Sequence, residues 1–297
     1  MKSVESLIMK GESDKPDKLK NDDIVPVEEI ILSKEEQAVL EQITGGNWKK
    51  YGRVAMAAMG GIPWVGSILG AAATLSAENE QGKTNKLLYL WVREHETKLR
   101  QLISDLRRIF TRLETFGDEI KTRIDSPEYL DLVRKTFRVW DIADSLEKKD
   151  MLRKLITNAG GVSIVQDDIV RLFIELLGRF HELHFKIIRE IYANPGISSY
   201  DLGVSLFGEV PLDNSARADL FKFLMHDLNM TDIVRQARES DGFGRWKTKT
   251  PVKRPESQLG TLQTPFDPSK LQVLTELGKE FVHYVMDDLA PQIGVGK

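Results

Sequence analysis

The sequence predicts a mainly α-helical protein: a helical bundle with a Gly-rich apolar helical hairpin and a long coiled-coil-like helix, followed by a winged-helix-like α+β domain. Three observations predict this. Val54 to Ala77 is a charge-free apolar stretch broken by glycines; Leu99, Leu106, Leu113 and Ile120 recur at heptad spacing; and the last third carries capped helices, a strand candidate and a basic loop. The corresponding divisions are a disordered arm over 1–30, the bundle over 31–161 with its hairpin at 54–77, and the winged-helix-like domain over 162–297.

Residues 1–27 are rich in Lys, Asp, Glu and Ser and poor in aromatics, too little apolar surface to offset the entropy of ordering. Order is expected from Ser33, where Glu36 completes a capping box. That helix runs through Leu40 and Ile43 to Gly45 and Gly46, and Trp48, Lys49, Lys50 and Arg53 lead into the apolar stretch.

Val54 to Ala77 is about long enough to cross the ~30 Å hydrocarbon layer at ~1.5 Å per residue, but Gly60, Gly61 and Pro63 interrupt it. Two short apolar helices are expected, the second bringing Gly66 and Gly70 into small-xxx-small spacing. Such a hairpin packs inside a bundle or inserts into lipid. In the second case Gly60, Gly61, Pro63, Trp64, Gly66 and Gly70 form the inserting element.

From Asn85 to Ile124 one long amphipathic helix is expected, with Leu102, Ile109 and Phe116 filling the alternate seam. Its stripe can pair with a helix of the same chain or with a second copy. Ser126-Pro127 restarts the chain as a helix carrying Tyr129, Leu132, Val133, Phe137 and Trp140, and the next helix ends at Gly160-Gly161. A helix follows from Gln166 through Leu177, with Phe185 to Ile191 beyond it, and Asn194-Pro195-Gly196 is a turn. A short helix from Ser198, a helix capped by Ser215, a strand near Ile233 and Val234, a basic loop over 241–257 and a last helix within Leu274 to Val285 give the winged-helix order.

Composition bounds the chemistry. Hydrophobic content of 41% with 29% charged residues is that of a globular chain, and a net charge of −3 argues against a surface coated for nucleic acid. The absence of cysteine excludes disulfides, thiolate metal sites and cysteine nucleophiles, and the N-terminal apolar run is too short for a secretory signal, so a cytoplasmic location is expected. Ala77 to Thr84 fits only a relaxed phosphate loop, with no preceding strand and with Glu78 and Glu80 to repel a ligand. His181 and His184 are three apart without a third ligand and read as surface histidines, so no metal, cofactor or catalytic residue is assigned. Arg245, Lys247, Lys249, Lys253 and Arg254 form an acid-free run suited to phosphate contact. The candidate recognition helix from Ala216 to Met230 is too apolar to favour the major groove.

The segments Glu147–Ala159, Asp167–Tyr192, Ala218–Ile233 and Leu274–Val285 together resemble the abortive-infection alpha family of bacterial phage-defence proteins. The resemblance implies a helical N-terminal half, a winged-helix-like end closing in an L-T-x-x-G segment, and no catalytic residues. The apolar stretch is also similar in composition to the helices of α-pore-forming toxins. The resulting expectation is a non-enzymatic phage-defence protein that perturbs the inner membrane through its hairpin on activation, self-associating or holding a protein partner through the coiled-coil helix. A winged-helix DNA-binding regulator and a coiled-coil adaptor are the alternatives.

Overall fold

The computed structural model describes residues 46–66, 82–161, 166–237 and 264–286, together with Thr44. Within them the chain is mainly helical with one small antiparallel sheet. The elements are α1 (Trp48–Gly60), α2 (Gly82–Glu114), α3 (Lys121–Ile124), α4 (Pro127–Ile142), α5 (Leu146–Gly161), α6 (Asp167–Arg179) and α7 (Glu182–Ala193), then β1 (Ile197–Ser198), α8 (Ser199–Phe207), α9 (Ala216–Met230), β2 (Val234–Gln236), β3 (Leu271–Leu274) and α10 (Glu276–Val285). The N-terminal arm, the helix expected after Ser33, residues 67–77 and the basic loop over 241–257 lie outside the described residues.

Side-chain caps set four of the helix starts. Ser126 accepts from the Tyr129 N–H at 3.3 Å with Pro127 at the first helical position. Ser198, Ser215 and Thr275 do the same for α8, α9 and α10 at 3.0, 3.2 and 2.9 Å. The L-T-x-x-G segment has a second reason to exist. Thr275 donates its N–H to Ile233 O at 3.1 Å, and a Cβ on Gly278 would lie 2.2 Å from that same oxygen, so only glycine lets α10 start against β2.

The long helix ends earlier than its heptads suggest. Expected to reach Ile124, α2 stops at Glu114, where Thr115, Phe116 and Gly117 close short bonds back to Arg112, Leu113 and Glu114 and Gly117 takes φ +80°. Ile120 therefore belongs to the turn before α3, although it is still buried. The chain also breaks at Phe180 and His181, both extended, so that α6 and α7 are separate helices.

In the apolar stretch α1 ends at Gly60, Gly61 and Ile62 interrupt it, and helical backbone resumes over 63–66. Tyr51, Val54, Ala55, Ala58, Met59, Ile62 and Val65 are buried, with Tyr51 stacked on Phe110 at 4.7 Å between centroids. No helix among the described residues is long and apolar enough to cross a membrane.

The sheet has the order β1-β3-β2, with Ile197 opposite Gln272 and Val234 opposite Leu274. Helix α5 is the hub of the fold: α2, α4, α6 and α10 all pack on it. Asn158 donates to Tyr284 O at 3.0 Å, and Phe173 meets Phe281 edge-on at 5.2 Å. The expected boundary at 161/162 thus falls between two helices that share one hydrophobic core.

Candidate anion-binding groove

Helix α2 has two faces. Leu102, Leu106, Ile109 and Leu113 are buried, and the seam they form meets α5 of the same chain. The adjoining face carries Arg100, Ser104, Arg107, Arg108, Thr111, Arg112 and Thr115, spaced by three, four and seven residues so that they share one side of the helix. Arg153, Lys154, Thr157 and Asn158 face them from α5. Between the two rows lies a groove of about 900 Å³.

The groove has a floor and a rim. Thr157 and Asn158 are 2% exposed, and the side chains of Arg153 and Lys154 only 16% and 18%. At the rim the Arg100 side chain is 78% exposed, and Arg107, Arg108 and Thr111 also reach solvent. Backbone bonds hold the floor in place: Thr157 Oγ1 donates to Arg153 O at 2.7 Å, and Lys154 Nζ to Met286 O at 3.2 Å.

Among the described residues six of the lining side chains are cationic and none is a carboxylate. Flanking carboxylates pair with three of them: Asp150 with Arg153 at 2.5 Å and Lys154 at 3.2 Å, and Glu96 with Arg100 at 2.5 Å. Burial pushes the Asp150 carboxyl up, but its bonds to Arg153 and Lys154 outweigh that and hold it below the usual range. Behind α2 the Asp105 carboxyl is raised by burial, while a 2.9 Å bond from Trp140 Nε1 and the charges of Arg153 and Arg108 work the other way. Lys149, lowered by burial, sits 4.3 Å over the Trp140 ring and donates to Gln101 at 3.0 Å. An open groove lined by six cationic side chains and supplemented by hydroxyl donors is suited to phosphate oxygens.

The residues singled out from the sequence fall elsewhere. Gly60, Pro63 and Gly66 are exposed along the break after α1, and Trp64 is half-buried with its Nε1 on Asp141 at 2.6 Å and its ring 5.1 Å from His95. Gly61 is buried against α4, where a Cβ would lie 2.4 Å from Arg134 O. Gly70 and the cations Arg245, Lys247, Lys249, Lys253 and Arg254 lie outside the described residues. Gly82, Lys83 and Thr84 of the relaxed phosphate-loop match are the first residues of α2.

His181 and His184 are not a surface pair. His184 is fully buried, stacked on Phe180 at 4.9 Å, and its Nδ1 accepts from the His181 N–H at 3.0 Å. The imidazole proton therefore belongs on Nε2, which lies 3.3 Å from Asp227 Oδ2 without a well-aligned hydrogen bond. Arg179 pairs with the other Asp227 oxygen. Among the described residues no group of three or more His, Cys, Asp or Glu is arranged to hold a metal.

Sequence reasoning missed the groove because it read α2 by its apolar seam. The arginine spacing on the adjoining side was visible, but its partners on α5 are brought up only by the tertiary fold. No family model, curated protein or solved structure matches this chain.

Proposed function

We propose that this chain is a non-enzymatic protein of bacterial phage defence that acts by binding a polyanion in the groove between α2 and α5. The observation that carries the binding part is the groove's composition, six cationic side chains and, among the described residues, no carboxylate over about 900 Å³, a volume within the usual range for ligand sites. The defence setting rests on the resemblance to the abortive-infection alpha family. Its four segments fall on α5, α6 with α7, α9 and α10, elements that meet around the shared core.

Within this reading α7, β1, α8, α9, β2, β3 and α10 are a winged-helix module, supported by their order and by the β1-β3-β2 sheet. Helix α9, in the place of a recognition helix, presents Phe223 and Met230 to solvent, 56% and 67% exposed, while Lys222 is paired with Asp219 and Arg217 with Glu209. These features favour the α2–α5 groove over α9 as the phosphate contact.

Binding to the native state alone raises stability by RT ln(1 + [L]/Kd), about 2.7 kcal/mol at a hundredfold excess over Kd. Tripolyphosphate and heparin are therefore expected to raise the melting temperature of the intact chain at low salt, and Arg107→Gln with Arg108→Gln to reduce the gain. No shift with either polyanion refutes the binding reading. Loss of phage protection in the same double variant ties the groove to defence.

A membrane-perturbing role for the apolar stretch is the second reading, favoured by the exposed Gly60, Pro63 and Gly66 edge. Gly66 tests it, because a Cβ there meets nothing within 4 Å among the described residues. Gly66→Asp is expected to fold, yet in lipid its carboxylate costs about 2.5–3.5 kcal/mol on insertion scales. A folded variant that still depolarises infected cells and protects them ends the membrane reading.

A further inference from the structure

We infer that the ligand of the α2–α5 groove is a single strand of nucleic acid, held by its phosphates and not by its bases. This rests on the polyanion-binding reading and adds the class of ligand.

Length is the first argument. From Arg100 to Arg112 the cationic row runs ~18 Å at 1.5 Å per residue, the distance over which one strand at helical rise presents about five phosphates. A mononucleotide occupies only part of such a row, whereas a linear polyanion follows it. Depth is the second. Arg153 and Lys154, with side chains 16% and 18% exposed, are recessed below the rim of Arg100, Arg107 and Arg108, so a duplex, a wide and stiff cylinder carrying two backbones, meets the rim first. A single backbone can descend to them.

Chemistry is the third argument. Among the described residues no aromatic side chain lines the groove, so none of them offers a stacking platform for bases. Ser104 and Thr111 add hydroxyl donors, which bond phosphate oxygens without regard to sequence. The binding that follows is sequence-tolerant and steeply salt-dependent.

Fluorescence anisotropy of a labelled mixed-sequence strand of about twelve nucleotides, titrated with the intact chain at ~50 to ~200 mM salt, tests the inference. Five contacts at ~0.7 each give an expected slope of log K against log salt of about −3.5. Arg107→Gln with Arg108→Gln is expected to flatten the slope by ~1.4 and to weaken binding ~25-fold at 0.1 M salt. Both residues are exposed, so circular dichroism should be unchanged. Lys135→Gln with Arg138→Gln, on the exposed side of α4, is the control and should leave the slope as it was.

Three results overturn the inference. If tripolyphosphate or heparin stabilises the protein but the strand does not bind, or a duplex or polyglutamate competes as well as the strand, the ligand class is wrong while the anion groove stands. If the strand binds but the slope survives the α2 substitutions, or falls only when Lys247, Lys249, Lys253 and Arg254 are replaced, the site is elsewhere. If none of these polyanions binds at low salt, the inference and the reading beneath it fail together.

Discussion

Alanine at Gly61 and alanine at its neighbour Gly60 are expected to shift stability in opposite directions. Gly61 has φ −76° and ψ −18°, an ordinary right-handed conformation, so its backbone does not demand glycine. Its surroundings do: a Cβ there would lie 2.4 Å from Arg134 O and 3.2 Å from Ala58 O. Non-bonded carbon contacts settle near 3.5–4.0 Å, so α1 would have to back away from α4 by roughly 1 Å, loosening Ala58, Met59 and Ile62. Overpacking of this kind costs about 1–3 kcal/mol. Gly60 ends α1 in the open, with the nearest atom to an added Cβ the flexible Arg134 Nε at 4.0 Å. Alanine there restricts the unfolded chain and favours the helix, a gain of about 0.5–1 kcal/mol. Urea unfolding of the two variants beside the parent chain, with equal slopes, reads the difference. An argument from glycine flexibility alone predicts stabilisation at both positions. Gly61→Ala as stable as the parent would therefore refute the close approach of α1 and α4.

Leu106→Ala and Leu113→Ala remove side chains with no exposure from the seam between α2 and its neighbours, and each is expected to cost about 2–5 kcal/mol in urea unfolding. Because that seam faces α5 of the same chain, the loss should not depend on protein concentration. His184 is expected to give the fold an acid limit. Burial lowers its pKa from 6.5 to about 4, so the unfolded chain takes the proton first, and stability falls as pH drops from about 6.5 towards 4. The ceiling on this loss is roughly 3 kcal/mol, and the Asp227 carboxylate 3.3 Å away acts to reduce it. His184→Gln keeps an acceptor for the His181 N–H but cannot titrate, so urea unfolding at pH 7 and pH 4.5 should show a smaller pH effect than in the parent; an equal effect assigns it to other groups.

The parts of this fold written in short-range chemistry were legible in the sequence. Ser126 with Pro127, Ser198, Ser215 and Thr275 announce helix starts because a hydroxyl next to free backbone N–H groups needs nothing from the rest of the chain. The heptads misled at Ile120 because burial and helix continuity are different properties. Ile120 keeps the apolar spacing of α2 after the turn at Gly117 has already ended the helix. Strands β1 and β3 gave no usable pattern, since two and four residues are too few to establish a period; they exist because they pair with each other and with β2. Of the two histidines His181 is exposed as expected, and His184 was misjudged because a polar residue at the third helical position can be a cap as readily as a surface group, and only the stacking of Phe180 decides it. The groove was the least legible. Its arginines on α2 look like any solvated helix face until Arg153 and Lys154 stand opposite them.

That opposition depends on α5, which gives the proposed site a physical link to the end of the chain. Helix α5 contributes the groove floor on one side and packs on α10 on the other. Lys154 belongs to both: it lines the groove, where its ammonium meets the flanking Asp150, and it reaches Met286 O just past α10, one of the terminal carbonyls that a helix cannot satisfy internally. A cation at that end also favours the negative pole of the α10 dipole. Four residues on from Lys154, the Asn158 amide ties the same helix to α10 through Tyr284 O. A phosphate on the floor would draw Lys154 towards the groove, and whatever it gains there is set against the bond to Met286 O. Ligand binding at the proposed site and the docking of α10 on α5 would then be linked through one ammonium group, and the factor by which a bound ligand weakens α10 docking equals the factor by which α10 docking weakens the ligand.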